Sequence, residues 1–310
     1  MKNPAYLPLL TAVLLGCAKQ SSEPAQAPPK STLSVEQELV VASFELDDRK
    51  VETLLGQGVD VNARMGSHDD GHFKDEWTLG FAMMSSKWTP LLALANSDKI
   101  PQPEKETQNT SEALAAAYKE MAEVDPAVIN ERNQRRVAIG KLLVAAKADL
   151  NADDGHGATA LYDAIDKGYE ELALLLIDAG AEVNTKTGVY IDGTGDITSL
   201  HRAIRHPRLV DALLRHGANP SVTDDTGRSP LHWAIGDSQA ESVRLLIAAG
   251  AEVNAKDNQG RTTLSSARLF DPEFFPVPEN EEEANRHRLL FGDPKQQTAI
   301  REMLEQAGVK

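Results

Sequence analysis

Apolar positions between residues 229 and 254 fall in two clusters separated by a break. Leu231, Ala234 and Ile235 are spaced as one face of a short helix, with Ser229 placed to cap it and Pro230 at the first helical position. Gly236-Asp237 interrupts that face, and Val243, Leu245, Leu246 and Ile247 mark a second helix. Gly250 then stands where a left-handed residue closes a helix. Helices this short are not stable alone, so the unit has to stack on copies of itself.

Copies are present. The leucine that opens the unit recurs at Leu161, Leu200, Leu231 and Leu264, the last two 33 residues apart. The closing glycine recurs at Gly180, Gly217 and Gly250, and a small residue three places after each leucine at Ala164, Ala203, Ala234 and Ala267. Thr159-Ala160-Leu161, Thr198-Ser199-Leu200-His201, Ser229-Pro230-Leu231-His232 and Thr262-Thr263-Leu264 echo the Thr-Pro-Leu-His opening of the ankyrin repeat, and Gly-Ala-x-Val-Asn closes two units. The chain thus resembles the ankyrin-repeat family. The fold expected is an all-α ankyrin-repeat solenoid of about six helix-turn-helix repeats, with insertions in fingers and between helices.

Less regular units extend the array in both directions. Leu39 and Gly58 frame a first repeat over 33–62, with helices around Val35–Phe44 and Arg49–Gly56. Trp88-Thr89-Pro90-Leu91 opens a second, whose Lys147 stands in the glycine slot 56 residues beyond Leu91, against 19 residues from Leu231 to Gly250. Its surplus holds a Pro- and Glu-rich loop, an extra helix over Ser111–Glu123 and a second helix resuming near Arg135–Ala146. The fourth repeat is two residues short at His206-Pro207, and a sixth ends with a helix over Gln296–Gln306. The array domain is therefore 33–310, with insertions near 65–86, 96–132, 188–196 and 270–294.

The first 32 residues read differently. Lys2 precedes a short apolar run, Leu7 to Leu15, that ends in Leu14-Leu15-Gly16-Cys17. This resembles the bacterial lipobox, which implies a signal peptide over 1–16, lipid on Cys17 and a Pro- and Ala-rich tether to residue 32. The alternative is an ordinary secretory leader with a chance cysteine. The lipobox reading puts the protein in the bacterial cell envelope, and Ala18 after the cysteine favours the outer membrane, periplasmic side. Cys17 is the single cysteine, so no intrachain disulfide and no cysteine metal site can form.

A formal charge of −15 argues against nucleic acid as a partner, because phosphate contacts need clustered cations. Local exceptions are Arg202, Arg205, His206, Arg208, Arg215 and His216 in the fourth repeat, read either as balancing acidic neighbours or as a binding patch. His68, Asp69, Asp70 and His72 have the residue types of a divalent-metal site, but nothing in the pattern fixes their geometry, and a polar loop tip is the preferred reading. No cofactor is expected. No nucleophile motif, phosphate loop or zinc-protease motif is present, and the acids sit on turns and exposed faces where shifted pKa values are not expected. The resemblance makes His201 and His232 structural, bonded to the neighbouring turn. An enzyme is not expected.

What the resemblance implies is protein binding by a monomer, across the concave face made of first helices and fingers. The slot after the signature histidine position holds Asp163, Arg202 and Trp233, with Arg205 nearly on the same side as Arg202. A rigid, exposed aromatic makes Trp233 the expected anchor, the alternative being that it packs against a neighbouring repeat as core, and Trp77 and Tyr190 are further aromatic candidates in the enlarged fingers. The partner class stays open between a toxin blocked by an immunity or inhibitor protein and an envelope enzyme held by a scaffold. An enzyme using His68 and His72 is the outside alternative.

Overall fold

The computed structural model describes residues 33–65, 87–97, 126–188, 195–263 and 294–308. Each repeat opens on a side-chain cap that answers a free N–H at the start of a short helix. Ser34 accepts from the Gln37 N–H at 3.2 Å to start α1 (Val35–Glu45), and Asp47 accepts from the Lys50 N–H to start α2 (Asp48–Gly56). Thr89 caps α3 (Pro90–Ala95), and α4 follows over Pro126–Ala145. Thr159 caps α5 (Ala160–Asp166), which is followed by α6 (Glu170–Asp178). Thr198 and His201 form a reciprocal cap on α7 (Ser199–Arg202), before α8 (Pro207–Arg215). Ser229 and His232 do the same for α9 (Pro230–Gly236), before α10 (Ala240–Ala248) and α11 (Pro294–Gln306).

The helices pack in two rows. First helices α1, α3, α5, α7 and α9 each touch the next, and so do second helices α2, α4, α6, α8, α10 and α11. The opening leucines Leu39, Leu91, Leu161, Leu200 and Leu231 lie between the rows, none more than 1% exposed. Ala42, Ala164, Ala203 and Ala234 are fully buried at the small position. The second repeat has the fully buried Leu94 there, and Gly140 on α4 lets α6 pack close, since a Cβ on it would stand 2.9 Å from Leu172 and 3.0 Å from Leu175. Strand structure among the described residues is limited to isolated bridges at the finger bases, such as Asp153 with Thr159 and Lys256 with Thr262. No helix among them is long and apolar enough to cross a membrane.

The closing phrase has a visible purpose. Gly58, Gly180, Gly217, Gly250 and Gly308 have φ between 78° and 91°, and Lys147 adopts the same left-handed turn at 67°. The asparagine that follows then reaches across to the next repeat. Asn62 Oδ1 accepts the Asp149 N–H at 2.6 Å, Asn151 Oδ1 the Glu182 N–H at 2.8 Å, and Asn184 Oδ1 the Asn219 N–H at 2.9 Å. Ser221 takes over the slot in the fourth repeat, accepting the Glu252 N–H at 3.0 Å.

Two local departures have physical causes. Helix α4 starts at Pro126 rather than near Arg135, because its first turns are solvent-facing and lack the apolar stripe that marks a helix in sequence; Val128 and Ile129 there are 45% and 48% exposed. In the fourth repeat, α7 tightens into a 3-10 turn over Ala203–Arg205, which rises more per residue. That turn and Pro207 at the start of α8 replace the left-handed residue seen at Gly168, absorbing the two-residue shortfall.

Candidate interaction face

The slot after the signature histidine position is Val41, Ala93, Asp163, Arg202 and Trp233 along successive first helices, and three residues on stand Phe44, Asn96, Asp166 and Arg205. These side chains are linked from one repeat to the next. Asn96 donates from Nδ2 to Asp163 Oδ2 at 2.8 Å and accepts from Lys167 Nζ at 2.7 Å. Arg202 donates from Nε to the Tyr162 hydroxyl at 2.8 Å and pairs with Asp166 at 3.2 Å. Its guanidinium carbon lies 6.0 Å from the centre of the Trp233 ring, and Arg205 pairs with Asp237 at 2.7 Å.

Trp233 is half-buried rather than exposed, because its ring packs against the buried group of Ala158, Tyr162 and Ile197 from the third repeat and the finger that follows it. Its indole N–H donates to Asp224 Oδ2 at 2.9 Å, and its ring meets His201 edge-on at 5.6 Å. The Arg228 guanidinium sits 5.2 Å from the same ring, giving the indole a second cationic neighbour. Asp224 anchors this group from the finger: its Oδ1 accepts the Thr226 and Arg228 N–H groups at 3.0 and 2.9 Å. Asp257 repeats the arrangement one finger later with the Gln259 and Arg261 N–H groups. These two finger acids were missed as structural residues in the sequence reading, although the repeated Asp-x-x-Gly-Arg at 224–228 and 257–261 was a visible signal.

The expectation of unshifted acids is overturned. Burial pushes the Asp163 carboxyl up to about 6, against opposing effects of the Asn96 hydrogen bond and the Lys167 charge. Burial alone would raise Asp224 and Asp257 too, but hydrogen bonds from Thr226, Trp233 and Arg228 to the first, and from Arg261 and Gln259 to the second, hold both below the usual value. Burial lowers His201 to about 4, so it is a neutral hydrogen-bonding ring at physiological pH. His201 reaches the Arg228 carbonyl in the next finger at 3.2 Å, the neighbouring-turn contact expected of it. His232 keeps its own cap, at 2.9 Å to Ser229 Oγ, but its buried Nε2 closes no such bond.

The basic residues of the fourth repeat all meet acids. Besides Arg202 and Arg205, Arg208 pairs with Glu170 at 2.8 Å and Glu171 at 3.1 Å, and Arg215 with Asp211 at 2.7 Å. His206 and His216 approach Glu170 and Asp178 at 3.9 and 3.8 Å. The structure thus brings Asp163, Arg202, Arg205 and Trp233 onto one side of the first-helix row. Trp77, Tyr190, His68, His72 and Cys17 lie outside the described residues. Among the described residues, no cluster of three His, Cys, Asp or Glu side chains could hold a metal ion.

Comparison with known proteins agrees with this geometry. Residues 156–188 match the family model for an ankyrin repeat, and residues 196–271 the model for three copies of ankyrin repeats. Rabankyrin-5 from Homo sapiens is 32% identical over 43% of this chain, and the chain spans 12% of that protein. The putative ankyrin repeat protein YahD from Escherichia coli is 32% identical over 36% of this chain, which spans 56% of it. A crystal structure of an ankyrin repeat domain from Acinetobacter baumannii superposes with a TM-score of 0.56, covering 89% of this chain and all of that one at 20% identity. With the left-handed closures and buried opening leucines in register, residues 156–188 and 196–271 are ankyrin repeats, and the chain has the ankyrin-repeat fold.

Proposed function

We propose that this protein is a non-catalytic binding module that grips another protein across the inner face of its first helices, held to the bacterial envelope by lipid on Cys17. The observation that carries the binding reading is Trp233: a half-buried, hydrogen-bonded indole flanked by Arg202 and Arg228 beside a continuous row of polar side chains. Fixed aromatics of this kind contribute much contact area with little ordering cost. The anchor is supported by Leu14-Leu15-Gly16-Cys17 after an apolar run.

A photo-crosslinking residue placed at Arg205 tests the binding face, with one at Arg244 on the outer side as control. Adducts at position 205 and not at 244 are expected, weakened by more than about 2 kcal/mol in Trp233→Ala. Equal adducts at both positions would remove the inner face from the reading. Labelling with a fatty-acid probe tests the anchor: label in the wild type and none in Cys17→Ser is expected. The finer role we favour is that of an immunity or inhibitor protein. A secreted effector encoded beside this gene, and inactivated when captured, would support it; an envelope enzyme captured with its activity intact would point to a scaffold.

A further inference from the structure

The charges along the inner face are unevenly matched. Arg202 meets Asp166 and Arg205 meets Asp237, so both arginines of the first-helix row already have acidic partners. Asp163 has no ion pair among the described residues. The Asn96 amide donates to Oδ2 of this half-buried carboxylate, and among the described residues no donor reaches Oδ1. Among the described residues, the groups around it compensate its charge only in part, through the Asn96 hydrogen bond and the more distant Lys167 ammonium. Among the described residues, the end of α3 offers the neutral Asn96, and α7 offers Arg202, already held by Asp166 and the Tyr162 hydroxyl. On its own helix stand Asp166 and Lys167, whose ammonium donates to Asn96 Oδ1, and the preceding finger adds Asp154.

We propose that Asp163 is the seat for a lysine or arginine side chain of the bound protein. This deepens the inner-face reading and rests on it. A half-buried carboxylate gains more from a cation than a fully hydrated one, and one of its oxygens has no donor among the described residues. A net charge of −15 on the chain also steers basic rather than acidic surfaces toward the face. Because burial lifts the Asp163 carboxyl to about 6, the contact is coupled to a proton: the cation selects the ionised form, and binding expels the proton. Affinity therefore falls as pH drops below about 6, by up to ~10-fold per pH unit for one coupled proton.

The test follows the Asp163 side-chain carboxyl by carbon-13 NMR in the full-length protein, with N-acetyl-arginine amide as probe and N-acetyl-glutamine amide as neutral control. Asp163→Asn identifies the signal. Expected are a saturating shift with the arginine probe at pH 7.5 and a lowered Asp163 midpoint in a pH titration. A response no larger than that to the glutamine control, or to sodium chloride at equal ionic strength, would overturn the seat. This measurement needs no partner. Failure of crosslinking at position 205 strikes the inner-face reading and leaves the titration standing. Crosslinking that stays at full strength in Asp163→Asn, equally at pH 7.5 and pH 5, strikes the seat and leaves the inner face.

Discussion

Asn184 bridges the third and fourth repeats from both ends of its amide: Oδ1 accepts the Asn219 N–H at 2.9 Å, and Nδ2 donates to the Gly217 carbonyl at 3.0 Å. Both partners are backbone groups that no helix satisfies. Asn184→Ala leaves them to water, since the site is exposed, and is expected to cost about 1 kcal/mol in urea melts. A loss beyond about 3 kcal/mol would show that the bridge organises more than its own turn.

Leu231 is fully buried between α9 and its neighbours. Leu231→Ala is expected to cost about 2–5 kcal/mol, set by how far the stack collapses into the cavity. Arg244→Ala, which breaks an exposed pair with Glu241 on the outer row, should stay within about 0.5 kcal/mol of neutral. Similar losses at the two positions would contradict the burial pattern.

Lys147 holds φ at 67° in a turn that glycine makes in the other repeats. The left-handed region strains a side chain with a Cβ, while glycine gives back part of the gain through a freer unfolded chain. Lys147→Gly is expected to stabilise the protein by about 0.5–1 kcal/mol, read as a raised midpoint in denaturant.

Acid pH pulls on the fold in two opposite directions. Asp163, raised from 3.8 to about 6, binds its proton more tightly when folded, so its contribution to stability grows as pH falls from 6 toward 4. His201, lowered from 6.5 to about 4, takes up its proton more readily when unfolded, so its contribution shrinks over nearly the same window. The two largely cancel in the wild type. Asp163→Asn removes only the first, and is expected to raise stability at pH 7.5 while making it fall more steeply than wild type toward pH 5. Parallel pH profiles for the two proteins in urea melts would show that Asp163 is not buried at a cost.

What the sequence revealed and what it hid follow from the range of the interactions. The opening leucines and closing glycines were legible because each obeys a local rule: one apolar face per short helix, one left-handed residue per turn. The slot of Asp163 was legible but its burial and raised pKa were not, because its environment is made by Asn96, 67 residues earlier and across an insertion. No spacing rule connects the two. The start of α4 was missed because Glu131, Arg132, Asn133, Gln134 and Arg135 show no apolar stripe, although Pro126 is a start signal. The place of Trp233 on a first helix follows from the repeat, yet its partial burial and its bond to Asp224 need the finger folded back, which periodicity alone does not describe.

The pairing of the fourth repeat's cations has a mechanical consequence. Arg202 and Arg208 both point back to acids of the third repeat, while Arg205 alone points forward to the fifth. Exposed pairs like these weaken as salt screens them, whereas the buried leucines and the asparagine bridges do not. Raising ionic strength therefore softens one joint of the solenoid more than the next. The joint between the third and fourth repeats, where Asp163 and Arg202 occupy neighbouring slots, has more ion pairing to lose to salt than the joint after it.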